Sequence, residues 1–426
     1  MKRNTKEIGG KSSPVLIVGA GMAGLACAVT LHRANIPFLL FERGNEVGGR
    51  VRTDEVNGYR LDRGFQVLLT AYPEAQRFLD YEKLDLQACY PGSKVCFGNR
   101  FHRVADPFRH PMDGFRSIFT PIGSFTDKLR VGLMRIGLLS SQSMPDDRTT
   151  LHALGKMGFG HSMIDRFWKP FMRGVFLENE LSTTIRKFEE TFRFFSSGDT
   201  VLPKKGIGEI PRQLAGQLPK NNILLETEIS GVTADSVESS DGRKWMGKAV
   251  VLATEDFHAN QLLGLGKEQA EWNSVDCLYF SLSVDDLPSN EPILYLDGIG
   301  DGPINNLTFV STLCDCTPDG RALASVSVLG KKEWDMEEII QQATEQLSQW
   351  FGKPVKEWEY VKGYRIRQAV PSCPNPPTPK PALTGIFRCG DYFGLPSIDA
   401  AMKSGRLTAE HITQEQNSLP LNRTGN

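Results

Sequence analysis

The hydrophobic pattern near the start of the chain predicts a strand, a helix and a second strand in close succession. Val15–Val18 is a short apolar run that leads into Gly19-Ala20-Gly21-Met22-Ala23-Gly24. Apolar residues then recur with a helical period before a second apolar run, Phe38–Phe41, which ends at Glu42. This order of elements predicts a βαβ unit of a parallel sheet.

The glycines of this unit have the spacing that a dinucleotide requires. Gly19 permits a tight turn, Gly21 lets the backbone approach a pyrophosphate, and Gly24 allows the helix to pack closely on the strand. The start of the helix offers unpaired N–H groups and a positive dipole end to phosphates. A carboxylate at Glu42, about twenty residues further on, can accept both hydroxyls of a ribose.

The residues after Glu42 indicate which dinucleotide is bound. A glycine pair and an arginine follow directly, in Val47-Gly48-Gly49-Arg50-Val51-Arg52-Thr53, and a plain nicotinamide-binding fold has no need of them there. Residues 42–53 resemble the glycine-doublet motif of the flavin amine oxidase superfamily, which includes monoamine oxidases, protoporphyrinogen oxidases and carotenoid desaturases. The resemblance implies that Gly49 lies against the pyrophosphate of FAD and that Arg50 contacts the cofactor.

Three later segments extend the resemblance. Residues 61–66, which follow a hairpin signal at Asn57-Gly58, resemble the segment of the family that passes close to the flavin at a glycine, here Gly64. Residues 223–229 are predicted to form one strand, and the resemblance places Ile229 beside the adenine. The third segment, 385–405, resembles the C-terminal FAD motif.

Simple chemistry supports that third assignment. Asp391 can hydrogen-bond hydroxyls of the cofactor, and amides at the start of a helix near Ile398 can face a flavin carbonyl and stabilise negative charge there. The Ser-x-Asp-x-Ala form looks closer to carotenoid desaturases than to amine oxidases, although those commonly have Glu and Gly where this chain has Asp399 and Ala400. The residues assigned to noncovalent FAD are Gly19, Gly21, Met22, Ala23, Gly24, Glu42, Arg43, Gly49, Arg50, Gly64, Phe65, Gln66, Ile229, Gly390, Asp391, Ile398 and Ala400.

The expected fold class is α/β, with a Rossmann-type FAD-binding domain and a second α+β substrate domain that contains an antiparallel sheet and a helical subdomain. We assign 13–92, 200–264 and 382–415 to a discontinuous FAD-binding domain, 93–199 (mostly helical) and 265–381 to the substrate domain, and 1–12 and 416–426 to flexible tails. For the substrate pocket we single out Phe171, Tyr364 and Arg365, the first because 167–176 resembles a cavity-wall segment of desaturases. No catalytic residue is assigned.

Residues 94–139 are unusually basic and aromatic. They hold eight Lys or Arg and three acids, with phenylalanines at 97, 101, 108, 115, 119 and 125. On amphipathic helices this composition is typical of a membrane-surface patch. An ordinary helical domain with core aromatics and solvated arginines has the same composition, so both interpretations stay open.

Overall composition limits the other partners. The 49 basic and 50 acidic residues leave a net charge of −1, which argues against a nucleic-acid partner. The eight cysteines have no CxxC spacing, which makes a metal site unexpected and indicates reduced thiols in the cytoplasm. No apolar run approaches the ~20 residues that span a bilayer, so we expect a cytoplasmic protein, soluble or peripheral to a membrane.

The reaction class is inferred from a motif that the sequence lacks. The chain has no second strand–GxGxxG–helix unit for a nicotinamide, which indicates that hydride comes from the substrate. The leading hypothesis is a dehydrogenase, desaturase or oxidase. Its substrate would be a bulky apolar small molecule such as a carotenoid, isoprenoid or tetrapyrrole, and its electron acceptor would be oxygen or a quinone. The alternatives are an oxidase of small amines and a flavin-binding protein without turnover.

Overall fold

The computed structural model describes residues 13–137, 148–265, 271–330, 333–372 and 385–418. The strands in these ranges are β1 Val15–Val18, β2 Phe38–Phe41, β3 Thr53–Val56, β4 Tyr59–Asp62, β5 Leu68–Leu69, β6 Leu86–Ala88, β7 Gly92–Cys96, β8 Phe101–Ala105, β9 Thr200–Pro203, β10 Ile223–Leu224, β11 Ile229–Val232, β12 Ser236–Ser239, β13 Lys244–Met246, β14 Ala249–Leu252, β15 Trp272–Ser283, β16 Leu294–Asp297, β17 Ile304–Phe309, β18 Arg321–Leu329, β19 Glu359–Pro371 and β20 Ile386–Arg388. The helices are α1 Met22–Arg33, α2 Pro73–Phe78, α3 Pro111–Ser117, α4 Phe125–Arg135, α5 Thr150–Lys156, α6 His161–Met163, α7 Lys169–Phe176, α8 Ile185–Ser197, α9 Glu209–Ala215, α10 Asp256–Leu262, α11 Met336–Phe351 and α12 Ile398–Ser418. The two predicted tails lie largely outside these ranges.

A parallel five-stranded sheet in the order β10-β2-β1-β14-β20 forms the base of the molecule. Its strands come from the beginning, the middle and the end of the chain. The predicted βαβ unit is confirmed, since β1 pairs in parallel with β2 and α1 lies between them in sequence. Helix α1 is buried on nearly all sides because it packs on this sheet and against α12. The carboxyl ends of the central strands, where ligands of such sheets bind, therefore meet the start of α12.

A second sheet of seven strands, in the order β19-β15-β18-β17-β16-β7-β8, confirms the antiparallel sheet expected in the substrate domain. One pairing, β16 with β7, is parallel. The expectation that residues 94–105 belong to amphipathic helices is wrong, since they form most of β7 and β8 at the sheet edge. Burial in β7 alternates at Ser93 and Val95, a period of two that fits a strand.

The helices α4 to α8 form a separate layer with its own core. The fully buried side chains of Trp168, Met172 and Phe188 lie at its centre. Helix α4 starts at a capping box in which Ser124 and Asp127 each bind the other's backbone amide. The helical part of the predicted substrate domain is therefore a packed unit rather than a set of solvated helices.

The single strand predicted at 223–229 is wrong, because the chain breaks at Glu226 (φ +49°) into β10 and β11. The amides of Glu226 and Thr227 donate to the carbonyls of Gly44 (2.9 Å) and Glu42 (2.8 Å). These bonds wrap the chain around the end of β2. Ile229 consequently lies in a different sheet, paired with Ser239.

Asp62, at the end of β4, ties the β3–β4 hairpin to the glycine-containing loop before α9. Its Oδ1 accepts hydrogen bonds from Thr53 Oγ1 (2.6 Å) and from the Ile207 amide (3.0 Å). Burial raises the pKa of this carboxyl to about 6, although the hydrogen bond from Thr53 opposes the shift. The folded state therefore holds the proton more tightly than the unfolded chain, and stability falls as the pH rises from about 4 through 6.

The substitution Asp62→Asn tests how much stability the buried charge of Asp62 removes at high pH. Asparagine offers the same acceptor to Thr53 and Ile207 but has no charge to desolvate, so we expect the variant to exceed the wild type in unfolding free energy by about 3 kcal/mol at pH 8. At pH 4 the difference should nearly vanish. Urea unfolding at both pH values measures it, and an equal difference at both would contradict the assignment.

Candidate cofactor site

A continuous cavity of about 2040 Å³ runs from the glycine loop after β1 to the helices α3 and α4. Ligand cavities of proteins commonly measure about 300 to 1,000 Å³, so this one has room for a large cofactor and a second molecule. The carboxyl ends of the parallel strands, residues 48–51 and 64–67, strand β19 and the start of α12 form the half beside the Rossmann sheet. The helical layer and the floor of the second sheet form the other half.

The glycine loop leaves an open space where a phosphate would lie. Gly19 has φ +103°, and a Cβ at Gly24 would stand 1.9 Å from the Gly19 carbonyl oxygen, so helix and loop touch through backbone alone. At Gly21 a Cβ would meet no heavy atom within 4 Å, whereas a Cβ at Gly49 would lie 3.3 Å from the Gly21 Cα. The two glycine motifs therefore contact each other through backbone, since the Gly48 amide also donates to the Ala20 carbonyl (2.8 Å). The open space beside Gly21 suits a pyrophosphate.

The other predicted contacts of this region also line the cavity, including Met22 and Ala23, whose amides belong to the first turn of α1. Glu42 accepts hydrogen bonds from the Ala20 amide at Oε2 (2.9 Å) and from the Gly44 amide at Oε1 (2.8 Å). These bonds fix the carboxylate beside the glycine loop. Each carboxylate oxygen can accept a further hydrogen bond, so ribose hydroxyls still find acceptors there.

Arg43 and Ile229 lie at the same end of the cavity as Glu42. The guanidinium Nη1 of Arg43 is 3.3 Å from Nε2 of His258, a residue of α10. Ile229 is buried and presents an apolar surface at the start of β11. An exposed cation and an apolar wall next to the ribose-binding acid suit the adenosine half of a dinucleotide.

Arg50 and Asp391, which the sequence assigns separately to the cofactor, form an ion pair of 2.7 Å across 341 residues. Arg50 Nη1 also donates to the carbonyl of Ala369 (2.8 Å), and its guanidinium stands over the Trp272 ring at 5.3 Å. Asp391 is buried, and Gly390 precedes it in the cavity wall. The pair joins the first and last segments of the site.

Gly64 is a point of close approach between this wall and β19. Its φ is +89°, and a Cβ there would lie 2.8 Å from Cδ1 of Ile366. Phe65 and Gln66 follow it along the cavity, and Gln66 Nε2 donates to the carbonyl of Arg50 (2.9 Å). The segment predicted to pass close to the flavin is therefore held to the arginine of the glycine doublet.

At the start of α12, the structure separates two predicted contacts. Ile398 lines the main cavity, together with Ser397 and Ala401. Ala400 lies on the wall of a second cavity of about 1020 Å³ between α8 and α12. Its amide donates to Ser397 Oγ (3.0 Å). The main cavity therefore meets the helix through its first residues.

All three residues predicted for the substrate pocket line the cavity, but two of them are engaged in polar networks. Phe171 stacks with Phe167 at 5.6 Å between ring centroids. Tyr364 donates to Asp54 Oδ2 (3.0 Å), and burial followed by this bond raises the pKa of the phenol. Arg365 binds Asp276 (2.8 Å), which fixes its guanidinium.

Sequence reasoning missed the remainder of the substrate half. Apolar side chains in and beside α3 and α4 form part of its wall: Phe108, Phe115, Ile118, Phe125 and Leu129. Lys187 of α8 and Lys362 of β19, which sequence reasoning also did not assign, contribute ammonium groups to the cofactor half. The excess of phenylalanine before 139 was a signal for the first set. Lys187 sits in an ordinary amphipathic helix and carries no such signal.

Metal-binding clusters and membrane-spanning helices are both absent from the described parts of the chain. No group of three or more His, Cys, Asp or Glu residues there has an arrangement that could hold a metal ion. In the same ranges, no helix combines the length and apolar character that crossing a bilayer requires.

Known proteins resemble this chain in sequence and in fold. It is 24% identical to the phytoene desaturase (lycopene-forming) of Pantoea ananas over 58% of its own length and 56% of the desaturase, so the match spans little more than half of that relative. Identity to the coproporphyrinogen III oxidase of Propionibacterium freudenreichii subsp. freudenreichii is 22%, over 75% of this chain and 73% of that one. An oxidoreductase of Methanosarcina mazei has the same fold, with TM-score 0.73, 16% identity and coverage of 94% and 100%.

The sequence profile of one family covers nearly the whole site. It matches residues 22–413, from the first turn of α1 to the last helix, and its description is flavin containing amine oxidoreductase. The match confirms the predicted superfamily, the flavin cofactor and the oxidoreductase class, and the sheets and helices confirm the predicted α/β fold. The chain belongs to the flavin containing amine oxidoreductase family.

Proposed function

We propose that this protein is an FAD-dependent dehydrogenase or oxidase that removes hydride from a bulky apolar substrate. The observation that carries the proposal is the apolar half of the cavity, which continues from the cofactor half without a partition. Its wall is mainly aromatic, from α3, α4, α7 and α8. An apolar wall of this kind fits a polyene, an isoprenoid or a tetrapyrrole, and the desaturase and porphyrinogen oxidase relatives support the same class.

When bound, FAD supplies a ring that accepts two electrons and a proton as hydride at N5. The residues of this chain bind and orient. Amides at Gly21 and Gly49 and the carboxylate of Glu42 would hold the pyrophosphate and ribose, and the ion pair of Arg50 with Asp391 would fix the middle of the cofactor. The aromatic wall excludes water from the substrate carbon.

The test is anaerobic reduction of the bound flavin. Purified holoprotein is mixed with a detergent-dispersed polyene, an isoprenoid or a reduced tetrapyrrole, and the flavin absorbance is followed. Bleaching by one of these supports the proposal. Bleaching by small amines alone would move the function to amine oxidation. A flavin that dithionite reduces and none of these molecules does would indicate a binding protein without turnover.

The electron acceptor is identified by following the same flavin absorbance during reoxidation. After reduction, the flavin is mixed with oxygen or with a short-chain quinone, which are the two acceptors proposed from the sequence. Faster reoxidation by the quinone at equal concentration would identify a quinone-dependent dehydrogenase, and faster reoxidation by oxygen would identify an oxidase.

We further propose that the protein works in the cytoplasm at a membrane surface, through what we call the apolar face, formed by residues 108–136. Large hydrophobic side chains stand exposed there: Phe108, Met112, Phe115, Phe119, Phe125, Leu129 and Ile136, with Phe119 at 76%. The Arg116 side chain is 74% exposed beside them and lies 3.6 Å from the less exposed Asp113, whereas Asp127 is turned inward at the cap of α4. Apolar side chains with a basic rim fit an anionic bilayer surface.

The apolar face is also the mouth of the cavity. Phe108, Phe115, Phe125 and Leu129 are each exposed and also line the interior space. A substrate dissolved in lipid could therefore pass between α3 and α4 without crossing water. This supports one location for both membrane contact and substrate uptake.

The double substitution Phe115→Ser and Phe119→Ser is expected to weaken binding to anionic phospholipid vesicles at least about tenfold, because each phenylalanine loses its apolar contact with the bilayer. Co-sedimentation measures the bound fraction. The control is Val284→Ser with Ile299→Ser, which removes exposed apolar side chains outside the face. An equal loss in both double variants, or none in the first, would contradict a membrane role.

A further inference from the structure

Lys187 is a buried lysine on α8 that lies beside the start of α12. Only 7% of the residue is exposed, and it lines the main cavity. Its Nζ donates to the carbonyl of Pro396 (2.7 Å), two residues before Ile398. An ammonium group and the first turn of a helix therefore approach the cavity from the same side.

Both features produce positive potential at the same place. The first turn of α12 carries the positive end of its dipole, and Lys187 adds a full charge where water is largely excluded and charges interact more strongly. The nearest opposing carboxylate on α12 is Asp399, which is buried and accepts the Glu74 amide (2.8 Å). Burial, with the charges of Glu74 and Glu190 in addition, raises the pKa of Asp399.

We propose that Lys187 is a positioning residue that stabilises the reduced flavin electrostatically and so raises its reduction potential. The inference rests on the proposed function and on the sequence assignment in which amides near Ile398, at the start of α12, face a flavin carbonyl. Hydride adds two electrons and one proton to the ring, so the ring gains one negative charge. A fixed cation beside that charge favours the reduced form over the oxidised form.

The matched variants are Lys187→Gln and Lys187→Arg. Glutamine keeps a donor for the Pro396 carbonyl and loses the charge, whereas arginine keeps the charge. The glutamine variant is expected to disfavour flavin reduction at least tenfold, equivalent to about 30 mV for a two-electron couple. Its flavin should also bind sulfite about tenfold more weakly. The arginine variant should stay within threefold of the wild type in both measurements.

Lys128→Gln is the control, because Lys128 lines the same cavity but donates to the carbonyls of Ile118 and Thr120 on the apolar face. It should leave both quantities unchanged. Wild-type values in Lys187→Gln, or equal shifts in the glutamine and arginine variants, would overturn the inference. If Lys187→Gln binds FAD weakly, the affinities for oxidised and for reduced FAD are measured separately by titration. The inference predicts that the affinity for reduced FAD falls ten times further than the affinity for oxidised FAD.

Reduction with dye mediators needs no substrate, which separates this inference from the proposed substrate class. If no apolar substrate reduces the flavin of the wild-type protein, the proposed substrate class is refuted, but the reduction potentials of the flavin can still be measured. A wild-type potential in Lys187→Gln would refute the role of Lys187 and leave substrate oxidation untouched.

Discussion

Arg50→Met is expected to yield protein with less than a tenth of the wild-type FAD and with an unfolding free energy lower by about 3 kcal/mol. Both effects arise because Asp391, the partner of Arg50, stays in place without its counter-charge. Asp391 is buried and receives a 2.7 Å hydrogen bond from Arg50. Without the guanidinium its carboxylate is uncompensated at the point where a cofactor that carries phosphate would bind. Absorbance of released flavin and denaturant unfolding measure the two effects.

A second substitution separates folding from binding. Arg50→Met with Asp391→Asn removes the unpaired charge, so most of the stability should return while FAD retention stays low. Arg60→Met is the control, since Arg60 does not line the cavity and its contacts with the Glu55 carboxylate (3.6 Å) and the Asp315 carbonyl (2.6 Å) lie at the surface. Its loss should lower the unfolding free energy by about 1 kcal/mol or less. Retention of FAD at the wild-type level in Arg50→Met would exclude Arg50 from the cofactor site.

This ion pair shows how far the sequence could predict the site. The glycine doublet and the Gly-Asp motif each indicated a cofactor contact, so both residues were assigned to the same molecule. Their contact with each other joins positions 341 residues apart, and no local period or spacing encodes it. The same holds for Glu42, whose carboxylate oxygens bind the Ala20 and Gly44 amides, a bond pattern that depends on how β2 ends.

The two incorrect secondary-structure predictions, at 94–105 and at 223–229, share a cause. Strand β7 is held by pairing with β16, about two hundred residues later, and the aromatic and basic residues of 94–105 alone fit a helix as well as a strand. The break at Glu226 depends on hydrogen bonds to the Gly44 and Glu42 carbonyls, which lie in another part of the chain. Tertiary contacts decided both segments against local preference.

The first helix of the site was predictable because its constraints are local. Gly19, Gly21 and Gly24 lie within six residues, and the strand before them and the helix after them follow from hydrophobic period alone. The wall formed by α3 and α4 was not predictable, since whether a phenylalanine faces solvent, core or cavity depends on the packing of distant elements. Lys187 reaches the cofactor half only because α8 crosses beside α12.

Substitutions of Gly21 and Gly24 are expected to fail in opposite ways. At Gly24 a methyl group would stand 1.9 Å from the Gly19 oxygen and 3.2 Å from the Ala253 Cβ. Gly24→Ala should therefore force α1 away from the sheet and lower the unfolding free energy by about 3 kcal/mol. At Gly21 the backbone is extended, with φ −73° and ψ −178°, which any residue adopts.

Gly21→Val should accordingly fold with an unfolding free energy within about 1 kcal/mol of the wild type, because a Cβ there meets no heavy atom within 4 Å. Its side chain would occupy the open space beside Gly21, so the purified protein should lack FAD and not recover it on incubation with excess cofactor. A stable Gly21→Val protein that binds FAD with wild-type affinity would place the pyrophosphate elsewhere. The pair thus separates a glycine that the fold needs from a glycine that the cofactor needs, although the two lie three residues apart on one turn.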